Sequence, residues 1–156
     1  MARREEMDKK PCLVSIKSAF EEEEKMHEGS FEQSEDRIRV SWVQPEEQKG
    51  EGESKFLLSY RVGEKLLRMT RKGSTEMEMT FQEGILTEGV MRTSHGDFDL
   101  KMETFNILFF PETADEETTI DGREYCVKKA MLEYDLCFPN QDPMRNTMFF
   151  KVHLAK

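Results

Sequence analysis

The sequence predicts an all-β fold in which a single antiparallel meander closes into a β-barrel of about 8–10 strands. Three observations indicate this fold: apolar residues recur at every second position over most of the chain, tight turns join successive segments, and no segment has a convincing helical period over three turns. Closure protects strand edges that would otherwise pair with other chains. The main alternative is a two-sheet sandwich, which usually needs longer crossovers than residues 55–110 supply.

The alternating segments define the predicted strands and the side chains that point into the barrel, because neighbouring residues of a strand point to opposite faces. An acid-rich connection separates the first two strands. In chain order the inward residues are Val14, Ile16 and Phe20; Ile38, Val40 and Trp42; Phe56, Leu58, Tyr60 and Val62; Leu67, Met69 and Arg71; Met77, Met79 and Phe81; Ile85, Met91 and Thr93; Phe98, Leu100 and Met102; Phe105, Ile107 and Phe109; Leu132, Tyr134, Leu136 and Phe138; Met148, Phe150, Val152 and Leu154.

The connections between these strands carry recognisable turn chemistry. Gly63-Glu64 predicts a two-residue hairpin turn with positive φ at the glycine. A polar loop is expected from Pro111 to Glu124. The apolar positions change parity after Thr104, and a one-residue slip exchanges the two faces of a strand. The sequence therefore predicts a bulge or sharp bend near Thr104 and Phe105, or a handover to a different neighbouring strand.

Length and composition indicate one domain over residues 1–156, with residues 1–11 as a flexible N-terminal segment. The chain is 37% hydrophobic and 35% charged, which favours a thin, well-ordered apolar interior over a bulky helical core. Its net charge is -9, with acids concentrated at residues 21–24, 46–53 and 115–117. These runs are expected to be solvated loops. The charge argues against nucleic acid as a partner, because that affinity depends largely on neutralising phosphates.

The three cysteines and the N-terminus indicate a cytoplasmic location. Cys12, Cys126 and Cys137 form no C-x-x-C pair, which is typical of buried thiols in a reducing compartment. The charged start MARREEMDKK lacks the apolar stretch of a secretory signal. No segment approaches the ~20 apolar residues of a membrane span, so no membrane association is expected.

Three segments resemble a known family: LSYRVGEKLLRMTRKGSTEMEMTFQEG, RTSHGDFDLKMET and LEYDLCF with the strand that follows it. The most specific marks are the Arg71-x-Gly73 turn, the Met79-x-Phe81-x-x-Gly84 hairpin and the Thr93-x-x-Gly96 turn. In this order and spacing the chain resembles the YwiB-like bacterial proteins, a family of unknown function. The resemblance implies a calycin-like barrel, similar to lipocalins and fatty-acid-binding proteins, in a bacterial cytoplasm. It implies no reaction.

Arg71 is the most informative candidate for function, because the alternation places its guanidinium on the inner face near a strand end. A buried guanidinium needs a carboxylate, backbone carbonyls or an anionic ligand, unless it extends to the rim. The other candidate ligand-binding residues are Tyr60, Tyr134, Thr93, Thr104, Trp42, Met77 and Met79. Scattered polar groups among apolar neighbours are typical of small-molecule sites, but hydroxyls that satisfy one another in a core give the same pattern.

The sequence gives little support for a metal, a cofactor or a catalytic group. His27 falls in the first connection, His95 in a turn and His153 on the outer face of the last strand, so no convergence on a metal is expected. Ser94, His95 and Asp97 are neighbours in a turn and should point apart, unlike a catalytic triad.

The leading hypothesis is therefore a non-enzymatic protein that binds a small amphipathic or anionic molecule in the barrel or at its mouth. The alternative is a protein-interaction module with a solid barrel, and an enzyme of unknown reaction is third. A homodimer is a further option if Phe149 joins other exposed apolar residues.

Overall fold

The computed structural model describes residues 9–18, 25–45, 52–110 and 112–156. Within these ranges the chain contains no helix with the length and apolarity needed to cross a bilayer. The described residues form eleven strands: β1 (Lys10–Ser18), β2 (Lys25–Gln33), β3 (Arg37–Pro45), β4 (Glu53–Arg61), β5 (Leu66–Lys72), β6 (Glu76–Gln82), β7 (Leu86–Thr93), β8 (Gly96–Leu108), β9 (Glu116–Ile120), β10 (Arg123–Cys137) and β11 (Met144–Ala155).

The described strands form one antiparallel meander that closes on itself, which confirms the predicted fold class. Each strand from β1 to β7 pairs with the next in sequence, β8 pairs with β10, β10 with β11, and β11 returns to β1. Ten strands therefore complete the ring. β9 lies outside it and pairs with the first part of β10, before the residues of β10 that pair with β8.

Exposure rises across three successive rows of inward side chains on β4, β5 and β6. The first row contains Tyr60, Leu67 and Phe81, and each has 0% exposure. The next row contains Leu58, Met69 and Met79, with exposures of 1%, 4% and 6%. The third row contains Phe56, Arg71 and Met77, which are all half-buried. The barrel is thus tightly packed at one end and looser at the end where Arg71 lies.

Aromatic rings fill the packed end of the barrel. The rings of Tyr60 and Phe109 stack with centroids 4.3 Å apart, and Phe109 contacts Phe110 at 4.4 Å. Phe31 adds a fourth ring, 6.0 Å from Phe110. These four residues, here called the aromatic base, are at most 4% exposed. Aromatic pairs at such distances stabilise a core beyond the area that they bury.

The predicted bulge is present in β8 and explains how Phe109 reaches the interior. Tyr134 of β10 pairs with Thr104 of β8, whereas the preceding residue of β10, Glu133, pairs with Asn106. Phe105 is therefore the extra residue, and inward positions move to odd numbers after it. Ile107 and Phe109 consequently point into the barrel, with 1% exposure each.

Two strands were not expected from the sequence. β2 occupies part of the predicted first connection, and β9 part of the predicted polar loop from residue 111 to 124. Asp115, Glu116 and Glu117 were expected in a solvated loop, but Glu116 and Glu117 begin β9. Each of the three acids pairs with a lysine: Asp115 with Lys128 at 3.1 Å, Glu116 with Lys129, and Glu117 with Lys156.

The turn at Gly63 also differs from the prediction. Arg61 pairs with Leu66, so the connection has four residues instead of two. Positive φ occurs at Lys65, with a value of 50°, and not at Gly63. The prediction of a two-residue turn with glycine in its first position was therefore wrong.

His153 lies on the outward parity of β11, as predicted, but it is buried, with 4% exposure. Its Nδ1 lies 3.2 Å from the carbonyl oxygen of Leu13, and the Tyr125 ring packs edge-on against it. His27, expected in a connection, is instead half-buried in β2 opposite Val14.

Some predictions fall outside the described residues. These are the inward position of Phe20, the flexible segment over residues 1–8, and the acidic runs at 21–24 and 46–51. Lys10 and Pro11, which were included in the flexible segment, belong to β1.

Candidate functional site

The looser end of the barrel is lined by one row of cross-strand neighbours, here called the mouth row. Its members are Trp42, Phe56, Arg71, Met77, Met91 and Phe98, which pair in that order from β3 to β8. Trp42 is buried, Phe98 is 47% exposed, and the others are half-buried. Five apolar side chains and one cation therefore follow the barrel lip across six strands.

Arg71 packs within this row and not in the middle of the core. Its guanidinium lies over the Phe56 ring, with Cζ 5.4 Å from the centroid, and its Nε donates to Ser54 Oγ at 3.4 Å. Phe56 in turn stacks on Trp42, with centroids 5.2 Å apart and planes only 4° from parallel. Stacking of a guanidinium on an aromatic face is favourable and holds the planar group in a fixed orientation.

Trp42 is held in place at its polar edge as well as its face. Its Nε1 donates to Gln44 Oε1 at 2.9 Å, and the residue is 2% exposed. Since the indole nitrogen already has an acceptor, Trp42 supports the site mainly through its ring. A small cleft of about 90 Å³ adjoins Arg71 and Met77, but the rest of its lining comes from outward positions of β5, β6 and β7, so it opens on the outside of the barrel wall.

Arg71, Trp42 and Met77 are thus brought together, and Thr93 lies at the same end of the barrel, but the remaining candidates lie elsewhere. Tyr60 belongs to the aromatic base, two rows away from Arg71. Its hydroxyl is buried without a hydrogen-bond partner among the described residues. Burial, assisted by Glu112 and Glu83, raises the pKa of Tyr60 to about 12. Its phenol therefore stays neutral well above physiological pH.

Tyr134 and Thr104 are a second pair of polar side chains inside the barrel, and they are cross-strand partners on β10 and β8. The Tyr134 hydroxyl accepts from Asn146 Nδ2 at 3.0 Å and lies 3.9 Å from Met148 Sδ. Burial raises the pKa of Tyr134, and the hydrogen bond from Asn146 partly offsets this. Within the described ranges, Thr104 Oγ1 and Asn146 Oδ1 are buried and lack partners.

Thr93 and Met79 each have a structural role that explains why the residue is found at its position. Thr93 Oγ1 donates to the Gly96 carbonyl at 3.0 Å and accepts from the His95 backbone amide at 3.1 Å, so it closes the β7–β8 turn. Met79 lies one row below Met77 and is 6% exposed. Met79 therefore lies below the lip, whereas Thr93 lies at the lip, two residues beyond Met91 on the same face of β7, with its hydroxyl engaged in the turn.

Four residues of the site were absent from the candidate list drawn from the sequence: Ser54, Phe56, Met91 and Phe98. Phe56 was placed inside but not recognised as the partner of Arg71, and Ser54 was not considered. The signal was available in the hairpin register: once β4 and β5 are aligned, Phe56 falls directly opposite Arg71. Cross-strand neighbours have Cβ atoms about 4.5–5.5 Å apart, so contact follows from that alignment.

The described residues hold no group of three or more His, Cys, Asp or Glu side chains placed to bind a metal ion. Cys12 is buried, and desolvation raises the pKa of its thiol to about 11. A thiol that stays protonated is a poor nucleophile and a poor metal ligand.

Comparison with known proteins places this chain in a family. A family model described as a domain of unknown function, DUF1934, matches residues 14–148. The chain belongs to the DUF1934 family. This confirms the resemblance seen in the sequence, and no curated protein matches the DUF1934 chain. Among solved structures, the ywiB protein from Bacillus subtilis is similar, with a TM-score of 0.67, 16% sequence identity and 96% of each chain covered. At that identity the likeness supports the shared barrel fold alone.

Proposed function

We propose that this DUF1934 chain is a non-enzymatic binding protein whose barrel mouth holds a small amphipathic anion. The observation that carries the proposal is the mouth row, in which a guanidinium lies among half-buried aromatic and methionine side chains. Sites for small molecules are mostly apolar, with a few polar groups that fix orientation. An amphipathic anion matches this combination, since its charged group would meet Arg71 and its apolar part would cover the row.

The apolar part of the mouth is suited to an adaptable contact. Met77 and Met91 are cross-strand partners, and Phe98 follows at the lip with 47% exposure. Methionine side chains are flexible and polarizable, so they adjust to guests of different shape. A ligand that covers these residues would remove their apolar surface from water, which stabilises the complex by about 25 cal/mol per Å² of buried apolar area.

The packing below the mouth row limits how deep a ligand would reach. The Tyr60 row has no exposed surface and the Met79 row is at most 6% exposed. A guest at this depth would have to displace well-packed side chains, which costs stability. The proposed ligand therefore occupies the mouth, and its chain ends above Met79.

Arg71 would act as the anchor for charge. A guanidinium carries five N–H donors in a planar fork that suits carboxylate and phosphate groups. The stacking on Phe56 holds this fork at the lip. Ligand binding would add to or exchange with the contacts that Arg71 already makes, including its bond to Ser54.

The proposal is tested by titrating decanoate and its neutral analogue decanol while following Trp42 fluorescence. Trp42 is the single tryptophan and stacks on Phe56, so it reports on the mouth. We expect wild type to bind decanoate more tightly than decanol. Arg71→Gln should weaken decanoate binding about 10- to 100-fold, since a hydrogen bond to a charged group contributes about 1.5–3 kcal/mol. Decanol affinity should be unchanged.

Arg123→Gln is the matched control for this experiment. Arg123 also lies over an aromatic ring, that of Tyr125 at 5.9 Å, but on β10 and away from the mouth row. It should bind decanoate like wild type. Equal weakening in both variants, or no response of Trp42 to either ligand, would exclude the mouth as the site.

A second candidate function, protein interaction through the outside of the barrel, is favoured by one specific observation. Leu108, Met131 and Phe149 are successive cross-strand neighbours on the outward faces of β8, β10 and β11. Leu108 is 49% exposed and Phe149 41%. Two copies could bury this row against each other as a homodimer. Native mass spectrometry separates the candidates, because it reads both the oligomeric mass and any retained small molecule.

A further inference from the structure

The outer face of β3, β4 and β5 is basic, although the whole chain has a net charge of -9. These three strands contain a single acidic residue, Glu53. Six cationic side chains take outward positions on them: Arg37, Arg39, Lys55, Arg61, Arg68 and Lys72. Such a separation of charge creates a local positive potential that attracts anions.

A groove of about 320 Å³ lies on this face and reaches across to β2. Its charged lining comprises four cations, Lys9, Arg39, Lys55 and Lys72, and one carboxylate, Glu32, whereas Leu57 and Phe56 supply apolar surface. The hydroxyls of Ser30, Ser41 and Thr70 line the same groove. Ser30 pairs with Ser41, and Leu57 pairs with both Ser41 and Thr70, so these four residues form one continuous row across the face.

The arrangement of the cations is costly for the folded chain unless an anion binds there. Lys55 and Lys72 are direct cross-strand partners. Like charges directly opposite each other destabilise a sheet. No carboxylate among the described residues lies within 4.0 Å of the charged groups of Arg39, Lys55 or Lys72. At the edge of the groove, by contrast, Lys9 pairs with Glu32 at 3.5 Å.

We propose that this groove binds a small molecule that carries a diphosphate. Arg39 lies in the cross-strand row on one side of the hydroxyl row, and Lys55 and Lys72 lie in the row on its other side, so the groove provides charge for two phosphates. Serine and threonine hydroxyls donate hydrogen bonds to phosphate oxygens. The volume falls within the roughly 300–1,000 Å³ of small-molecule sites. A nucleic acid fits less well, because its interfaces usually bury about 1,000–2,500 Å² of protein and the rest of this chain is acidic.

The groove lies on the opposite face of the barrel wall from the mouth proposed above, and Phe56 is the one residue that belongs to both. Outward Lys72 and inward Arg71 are neighbours in β5, so they lie on opposite faces of the same barrel wall. Ligands could therefore occupy the two places independently. Arg71→Gln should leave diphosphate binding unchanged.

Isothermal titration with inorganic pyrophosphate at low ionic strength tests the groove. We expect wild type to bind, and Lys55→Gln and Lys72→Gln each to weaken binding about tenfold, since charge-assisted hydrogen bonds are about twice as strong as neutral ones. Lys101→Gln removes the same charge from the outer face of β8, where Lys101 is exposed. It should stay within about twofold of wild type, as expected for a distant screened charge.

Two results would overturn this proposal: absence of pyrophosphate binding by wild type at millimolar concentration, or equal weakening by Lys101→Gln, which would indicate diffuse attraction. Binding of a single-stranded oligonucleotide without pyrophosphate binding would also overturn the small-molecule assignment. ADP in a parallel titration identifies the source of the diphosphate. Tighter binding of ADP than of pyrophosphate supports a nucleotide, and equal binding supports recognition of the diphosphate alone.

Discussion

Replacing Phe109 with alanine is expected to lower the free energy of unfolding by about 3–5 kcal/mol, the usual cost of truncating a buried phenylalanine. Phe109 is 1% exposed and lies between the rings of Tyr60 and Phe110. Its removal would leave a cavity at the aromatic base, where neighbouring rings cannot easily collapse because strands hold them on several sides. Urea unfolding followed by far-ultraviolet circular dichroism measures the change.

Phe149→Ala is the matched control for this prediction. Phe149 is 41% exposed on the outer face of β11, so the same truncation removes little buried surface. It should cost about 1 kcal/mol or less, as most surface substitutions do. Similar losses of unfolding free energy in the two variants would show that the aromatic base does not contribute most of the stability of the core.

Gly89→Ala is expected to have the second largest effect, a loss of about 1–3 kcal/mol from overpacking. A Cβ at Gly89 would lie 2.4 Å from the Glu78 carbonyl oxygen and 3.1 Å from Met102 Cε. The methionine methyl could move, but the carbonyl belongs to the neighbouring strand and cannot shift without disturbing β6. The glycine is therefore required by the close approach of two backbones.

Gly63→Ala provides the comparison, because a Cβ at Gly63 meets no atom within 4 Å and its φ is not positive. That variant should be neutral or more stable by about 0.4–1 kcal/mol, through reduced freedom of the unfolded chain. Thermal and urea unfolding of the pair should separate clearly. If Gly89→Ala were as stable as Gly63→Ala, the described packing of β6 against β7 would be incorrect.

Alternation in the sequence predicted those strands whose inward positions hold large apolar side chains. β2 was not predicted as a strand because its inward residues are His27, Gly29 and Phe31, and only one of the three is large and apolar. Gly29 has to be small, since a Cβ there would lie 2.3 Å from the Ser41 carbonyl oxygen. A strand that faces a large tryptophan on its neighbour can lose its own pattern for this reason.

β9 was not predicted as a strand because its acids look like a solvated run in the sequence. Only the fold brings their lysine partners beside them. One local signal was available: Asp121 and Gly122 both have positive φ, at 50° and 77°, and join β9 to β10 by a two-residue turn. An Asp-Gly pair between two extended segments is a strong indication of a hairpin.

The candidate site was only partly predictable from the sequence. Parity correctly placed Arg71 and Tyr60 on the inner face, but parity says nothing about position along the barrel axis. Register decides that position, and it puts Tyr60 in the packed base and Arg71 at the mouth. The outer groove was missed because alternation along the chain does not show that β3, β4 and β5 bring their outward cations together on one face.

The most direct test of the central account is an NMR titration of the protein, labelled with ¹³C at its methionine methyl groups, with decanoate. Met77 and Met91 belong to the half-buried mouth row, whereas Met79 and Met102 are 6% and 0% exposed below it. We predict that decanoate shifts the methyl resonances of Met77 and Met91 and leaves those of Met79 and Met102 in place. Shifts confined to Met79 and Met102, or no shift at Met77 and Met91 at saturating decanoate, would contradict a ligand site at the mouth.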